Sequence, residues 1–189
     1  MLRDWRVWGL LTAVLLVLCV LIAWAVANDR KLWAMFVGVP YFKPGSALFR
    51  ELFTRAAAAA EVPSEWAESE ALAQLVAAES GGWVGIPNFT WNNLFGSKYS
   101  SAKNAAAWPA LWPGLRKGNW PAVDKSAGFT SRAIGIGQLQ PANIAKYYPS
   151  GYRGVGVPLE EAVGTLRYIA DRHGDPEAAW THHKLHGSY

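Results

Sequence analysis

From Val7 to Ala27 the chain carries no charged residue and is mostly Leu, Val and Ala. At about 1.5 Å of rise per residue such a helix crosses a hydrocarbon layer of about 30 Å. This run predicts one transmembrane segment, residues 1–31 with its flanks, and leaves the rest of the chain to form whatever core exists. Arg3 and Arg6 precede the run and Arg30 and Lys31 follow it, so flanking charge does not set its orientation. Two readings stand. One is a signal anchor that stays in the bilayer. The other is a cleaved signal peptide, because Ala25-Val26-Ala27 has the small-x-small form of a cleavage site. The run is longer than an ordinary signal core, which favours the anchor. Either way, the expected place of the remaining chain is outside the cytoplasmic membrane, in the periplasm or cell wall. Release after cleavage, or a place in a phage particle, is the alternative. Cys19, the single cysteine, reads as an apolar-facing thiol within the run.

Composition narrows what the rest can be. With 51% hydrophobic and 17% charged residues among 189, the chain is not disordered. One cysteine excludes an intramolecular disulfide and a cysteine-rich metal site. The net charge is +4, half of it from the N-terminal segment, so no basic nucleic-acid footprint remains and no nucleic-acid partner is expected.

Residues 32–45 read as a tether, ending at the Lys43-Pro44-Gly45 break, with Trp33 and Tyr41 either at a membrane surface or packed on the domain. Residues 46–189 read as one mainly α domain of α+β type with a small β-hairpin. Ser46 caps a helix to Ala60, and Leu48, Phe49, Leu52 and Phe53 share its face. A second helix is predicted from about Ser64 to Ser80, stopped by Gly81-Gly82. Residues 83–130 lack a period but hold five Trp, and read as an ordered aromatic-rich insertion with short helices such as Ser101 to Leu111. Ala133 to Gln140 reads as a strand or tight turn, and Pro141 starts a short helix. Pro158 to His173 is the clearest helix, with Leu159, Ala162, Val163, Leu166, Ile169 and Ala170 on one stripe. Asp175-Pro176 opens the last helix, to about His186.

One carboxylate is misplaced for a surface residue. Glu79 lies seven, four and three residues after Leu72, Leu75 and Val76, on the same helix face. It also falls in the last turn, where the helix dipole disfavours negative charge. Burial and dipole both raise its pKa, and a carboxyl protonated near neutral pH is what a general acid needs. Against this stands the plain alternative of a helix-end Glu turned to solvent.

The residues around Glu79 carry a resemblance. Ala77-Ala78-Glu79-Ser80-Gly81-Gly82 resembles the Glu-Ser-Gly signature of the lysozyme-like soluble lytic transglycosylases. Ala133-Ile134-Gly135-Ile136-Gly137-Gln138-Leu139 is similar to their second signature, Gly-Leu-Met-Gln-Ile, with Pro141-Ala142-Asn143 following. The stretch from Tyr168 to Pro176, with Ala178-Ala179-Trp180, Gly187 and Tyr189, resembles the closing segment of such domains in phage tail proteins. Within the insertion, Trp91-Asn92-Asn93-Leu94-Phe95-Gly96-Ser97-Lys98 resembles the Asn-x-Phe-Gly-x-Lys stretch of bacterial cell-wall N-acetylglucosaminidases, whose fold is also lysozyme-like. The Tyr-Asn-Ala-Gly of the transglycosylases is absent: Trp180-Thr181-His182-His183 stands there, and Tyr168, His183 and Tyr189 are candidates for the missing Tyr.

The resemblance implies a peptidoglycan-cleaving enzyme acting on the glycan backbone of N-acetylmuramic acid and N-acetylglucosamine, with Glu79 as acid and then base. The alternatives are an N-acetylglucosaminidase or lysozyme-type hydrolase of the same polymer, a non-catalytic wall-binding protein, and a membrane-anchored lysis or secretion component. Gln138, Ile136 and the backbone amides of 135–138 would bind sugar groups, Ser80 would orient Glu79 or cap its helix, and Tyr168 would lie near the acid. Trp91 and Trp180 would offer ring faces to sugars. Asp124 is the best-placed second carboxylate by sequence, with a solvated loop residue as its plain reading. His182, His183 and His186 lack the Glu and third ligand of a zinc motif, so no metal or cofactor is expected.

Overall fold

The computed structural model describes residues 39–188. The expected membrane segment, Cys19, Trp33 and Tyr189 lie outside the described residues. Among the described residues no helix is long and apolar enough to cross a membrane. The described residues are mainly helical, 57% of them lying in helices.

Helix α1 spans Ala47–Ala60; Ser46 caps it by accepting from the Phe49 amide at 3.3 Å. Its end is set by Glu61, which takes a left-handed conformation at φ 59°. The predicted second helix is instead two pieces. Ser64–Glu68 is a 3-10 turn, and α2 runs Glu70–Glu79. The reason is Ser69: it leaves the helical region (ψ 126°), and its hydroxyl accepts from the Leu72 amide at 3.2 Å, capping α2 afresh. Short helices α3 (Trp91–Phe95) and α4 (Trp112–Arg116) and a 3-10 stretch (Ala102–Ala110) form the aromatic-rich part. Then come α5 (Pro141–Tyr147), a 3-10 turn (Gly151–Gly154), α6 (Pro158–Arg172) and α7 (Pro176–His186).

Two hydrophobic clusters hold these elements. The first joins α1, α2, α6 and α7 through Phe49, Phe53, Leu72, Leu75, Val76, Val163, Leu166, Ile169 and Ala179. The second is aromatic: Trp83, Trp91, Trp108, Trp112 and Phe129 pack with Ile134, Leu139, Ile144 and Val155. That cluster accounts for most of the tryptophans of 83–130, since burying a ring of that size supplies much of the apolar contact that a stretch without long helices otherwise lacks.

The tether boundary is corrected. Val39 is fully buried, Val84 N donates to Pro40 O (3.1 Å) and Phe42 N donates to Gly82 O (2.9 Å). Tyr41 packs on Trp83 with ring centroids 4.8 Å apart. Residues from Val39 onward therefore belong to the folded domain. Gly82 is required for this strap: its φ is +90°, and a Cβ there would lie 2.1 Å from Phe42 O.

Strand pairing among the described residues is limited to isolated bridges. Ile134 and Leu139 exchange both backbone hydrogen bonds (3.2 and 3.1 Å) across Gly135–Gln138, so the expected hairpin is a single closed turn. Asp124 and Phe129 form a second one (3.0 and 2.8 Å).

Candidate functional site

Glu79 ends α2 at the point where the chain leaves the first cluster for the second. Its side chain is 15% exposed and opens on a cleft of about 330 Å³. The cleft is lined by Asn88, Ser131, Gln138, Gln140, Asn143 and Tyr168, with Ala133, Leu139, Gly187 and Ser188 completing it. Among these residues Glu79 is the sole carboxylate; the other polar groups are amides, hydroxyls and backbone. Burial pushes the Glu79 carboxyl up to about 7. It is thus an acid that holds its proton into the neutral range, facing a wall of neutral hydrogen-bonding groups.

α7 packs against α2 and brings His183 Nε2 to 3.3 Å from Glu79 Oε1. The imidazole is 16% exposed, and burial holds it below its ordinary value, with His182 adding to the effect. Both groups are therefore displaced toward their uncharged forms. At neutral pH the 3.3 Å contact is therefore one between two largely uncharged groups rather than a fixed ion pair. Tyr168 comes from α6, and burial raises its hydroxyl.

The turn carrying Gln138 is held from below. Glu161, on α6, is fully buried. Its Oε2 accepts from Ile136 N (2.8 Å) and Gly85 N (3.0 Å), and its Oε1 accepts from Gly156 N (2.7 Å). Burial raises this carboxyl to about 7, while those three amides and the Arg116 charge favour its ionised form. Gly135, at φ +90°, must lack a Cβ, which would sit 2.8 Å from Glu161 Oε2. Gln138 follows at φ +48°, and its Nε2 donates to Ile86 O (2.8 Å) and Gly135 O (3.0 Å). What Gln138 retains for a ligand is its amide oxygen.

No protein-family model, characterised protein or solved structure matches this chain.

Of the residues singled out in the sequence, Glu79, Gln138 and Tyr168 meet at the cleft. Others do not. Trp91 is fully buried, stacked on Phe95 (5.7 Å) and edge-on to Phe129 (5.3 Å), with Nε1 donating to Ala133 O (3.3 Å). It is a core residue with no ring face for a sugar. Trp180 packs on the first cluster and stacks on His183 (5.3 Å, 22°), and it does not line the cleft. Ile136 is buried and its amide is taken by Glu161; Gly135 N donates to Ile86 O and Gln138 N to Gly135 O. Those three amides serve the fold rather than a ligand. Ser80 caps: its Oγ donates to Val76 O (3.3 Å) and accepts from Gly82 N (3.1 Å). Asp124 is exposed and accepts from Ser126 and Ala127 in its own turn, which lowers its pKa, and it stands outside the cleft.

His182 and His186 stack on each other (4.1 Å). Among the described residues no group of three His, Cys, Asp or Glu side chains is placed to hold a metal.

Sequence reasoning missed Asn88, Ser131, Gln140, Asn143 and Glu161. Four of these flank the two motifs in the chain, and short polar residues beside a turn signature are the signal that was present. Glu161 had a subtler sign. Glu161, Gly164, Thr165 and Tyr168 repeat at i, i+3, i+4, i+7, a second stripe beside the apolar one, and the first two lie against packed neighbours.

Proposed function

We propose that the protein is a peptidoglycan-cleaving lytic transglycosylase with a lysozyme-like domain, anchored by residues 7–27 with that domain outside the cytoplasmic membrane. The observation that carries the reading is Glu79: a buried carboxyl, raised to about 7, standing as the sole carboxylate among the residues lining a cleft of amides and hydroxyls. A neutral polar wall suits N-acetyl and hydroxyl groups of a glycan. A lone acid suits a scheme in which no second carboxylate activates water.

In that scheme Glu79 gives its proton to the glycosidic oxygen as the bond to the anomeric carbon breaks. The developing oxocarbenium centre is attacked by the 6-hydroxyl of the same sugar. That hydroxyl's proton passes to the Glu79 carboxylate, which restores the acid and leaves a 1,6-anhydro end. The ordered Glu-Ser-Gly and Gly-Ile-Gly-Gln motifs support this reading of the chemistry.

A hydrolase of the same polymer is the second reading, with water in place of the 6-hydroxyl. Mass spectrometry of products from purified peptidoglycan, using the full chain and Glu79→Gln, tests both. Anhydro-muropeptides from the wild type, reduced at least about a hundredfold in the variant, are expected. Glu79-dependent reducing ends would select the hydrolase. Undiminished digestion by Glu79→Gln would remove Glu79 from the chemistry.

A further inference from the structure

His183 is the titratable side chain that α7 places against the Glu79 carboxyl, at 3.3 Å. Its position is built rather than incidental. Trp180, one turn earlier, stacks on the imidazole at 5.3 Å and 22°, fixing the ring plane. Both partners of the contact are about six-sevenths buried, at 16% and 15% exposure, so water competes little for it. We propose that His183 is the positioning residue of Glu79: its Nε2 stands 3.3 Å from Oε1, in reach to donate to that oxygen as the carboxylate forms, which leaves Oε2 to carry the reacting proton toward the cleft. This rests on the reading of Glu79 as the acid.

The chemistry follows from which atom is charged when. While Glu79 is protonated, Nε2 only lies beside an uncharged carboxyl oxygen. Once the proton has left, an Nε2–H turned onto Oε1 ends on a carboxylate, and bonds to a charged acceptor are roughly twice as strong as neutral ones. The contact therefore gains strength as the acid does its work, which is the differential that accelerates a step. Burial and the neighbouring His182 keep the ring neutral near pH 7, so it donates without adding a charge that would strip Glu79 of its proton beforehand.

The titratable groups around the pair are few. Tyr168 faces it from α6 and His182 shares α7 with it. Behind these lie His173, 5.1 Å from the His182 ring, and Arg172, which acts on Tyr168.

The test uses His183→Leu, which keeps bulk against Trp180 and removes the donor, and His183→Gln, which restores an N–H. Carbon-13 carboxyl NMR of the full chain follows the Glu79 titration, its resonance assigned by its loss in Glu79→Gln. The Leu variant is expected to raise the midpoint by about one pH unit, and the Gln variant to return it toward wild type. In wall digestion the Leu variant is expected to lose about tenfold in kcat with KM little changed, and its alkaline limb moves up with the NMR midpoint. A Glu79 midpoint unmoved in His183→Leu, or a loss confined to KM, overturns the proposal. Full digestion by Glu79→Gln overturns the proposed function instead, while the titration still decides whether His183 holds the carboxyl.

Discussion

Replacing Glu79 by Gln should stabilise the protein, and by an amount that depends on pH. Burial raises the carboxyl from 4.5 to about 7, so the folded protein binds this proton more tightly than the unfolded chain does. The contribution from Glu79 is intact below pH 4.5 and is lost as pH rises through 7. At about 1.4 kcal/mol per unit the full loss is about 3.5 kcal/mol. Gln fills the same volume, can still hydrogen-bond His183, and carries no charge to desolvate. The variant should therefore exceed wild type by about 3 kcal/mol at pH 8 and by about 1 kcal/mol or less at pH 5. For a chain of this length that corresponds to roughly 6–12 °C in Tm at the alkaline end. Thermal unfolding followed by tryptophan fluorescence at half-unit steps from pH 5 to 8 measures the gap directly. A gap that stays constant with pH, or a variant less stable than wild type at pH 8, would refute the assignment of a buried, proton-holding carboxyl to this position.

Three further outcomes follow from the packing. Glu161→Ala leaves the buried amides of Gly85 and Ile136 and the half-buried amide of Gly156 without their acceptor and should cost at least about 3 kcal/mol in urea unfolding. Gly135→Ala places a Cβ 2.8 Å from the Glu161 carboxyl at φ +90° and should cost about 1–3 kcal/mol in urea unfolding. Ser69→Ala removes the cap that separates the two pieces of the second helix and should cost about 1 kcal/mol without affecting a purified site's chemistry, read by Tm and activity together.

The helices were legible where a period and a cap coincided. Ser46 with the Phe49–Phe53 face, and Pro158 with its six-residue stripe, gave boundaries within a residue of those observed. Glu79 was legible for the same reason, because a charge in the row of Leu72, Leu75 and Val76 breaks a pattern that is otherwise apolar. The break at Ser69 was not, since a serine inside a helical period is equally an exposed helix residue until its hydroxyl is seen capping Leu72. The roles of Trp91 and Trp180 were illegible because aromatic rings suit a core and a sugar alike, and adjacency to a motif does not distinguish them. Glu161 was hidden by ambiguity of another kind. An acidic residue in the first turn of a helix is already explained by the dipole, so its three remote acceptor bonds left only the faint stripe it forms with Gly164, Thr165 and Tyr168.

The Glu161 carboxylate also bears on how this fold tolerates change in length. It pins both ends of the excursion that leaves at Gly85 and returns at Ile136, and the rings between them pack with Trp83, Leu139, Ile144 and Val155 from outside it. Loop-closure entropy rises only logarithmically, about 0.6 kcal/mol for each doubling of the closed segment. Exposed turns within the excursion, such as residues 122–127, can therefore change in length at modest thermodynamic cost, whereas the stretches that carry its buried rings cannot. Glu79 and His183 both lie outside the excursion. Change in length is thus confined to the exposed rim of this part of the chain, while the buried rings and the contact of Glu79 with His183 stay fixed.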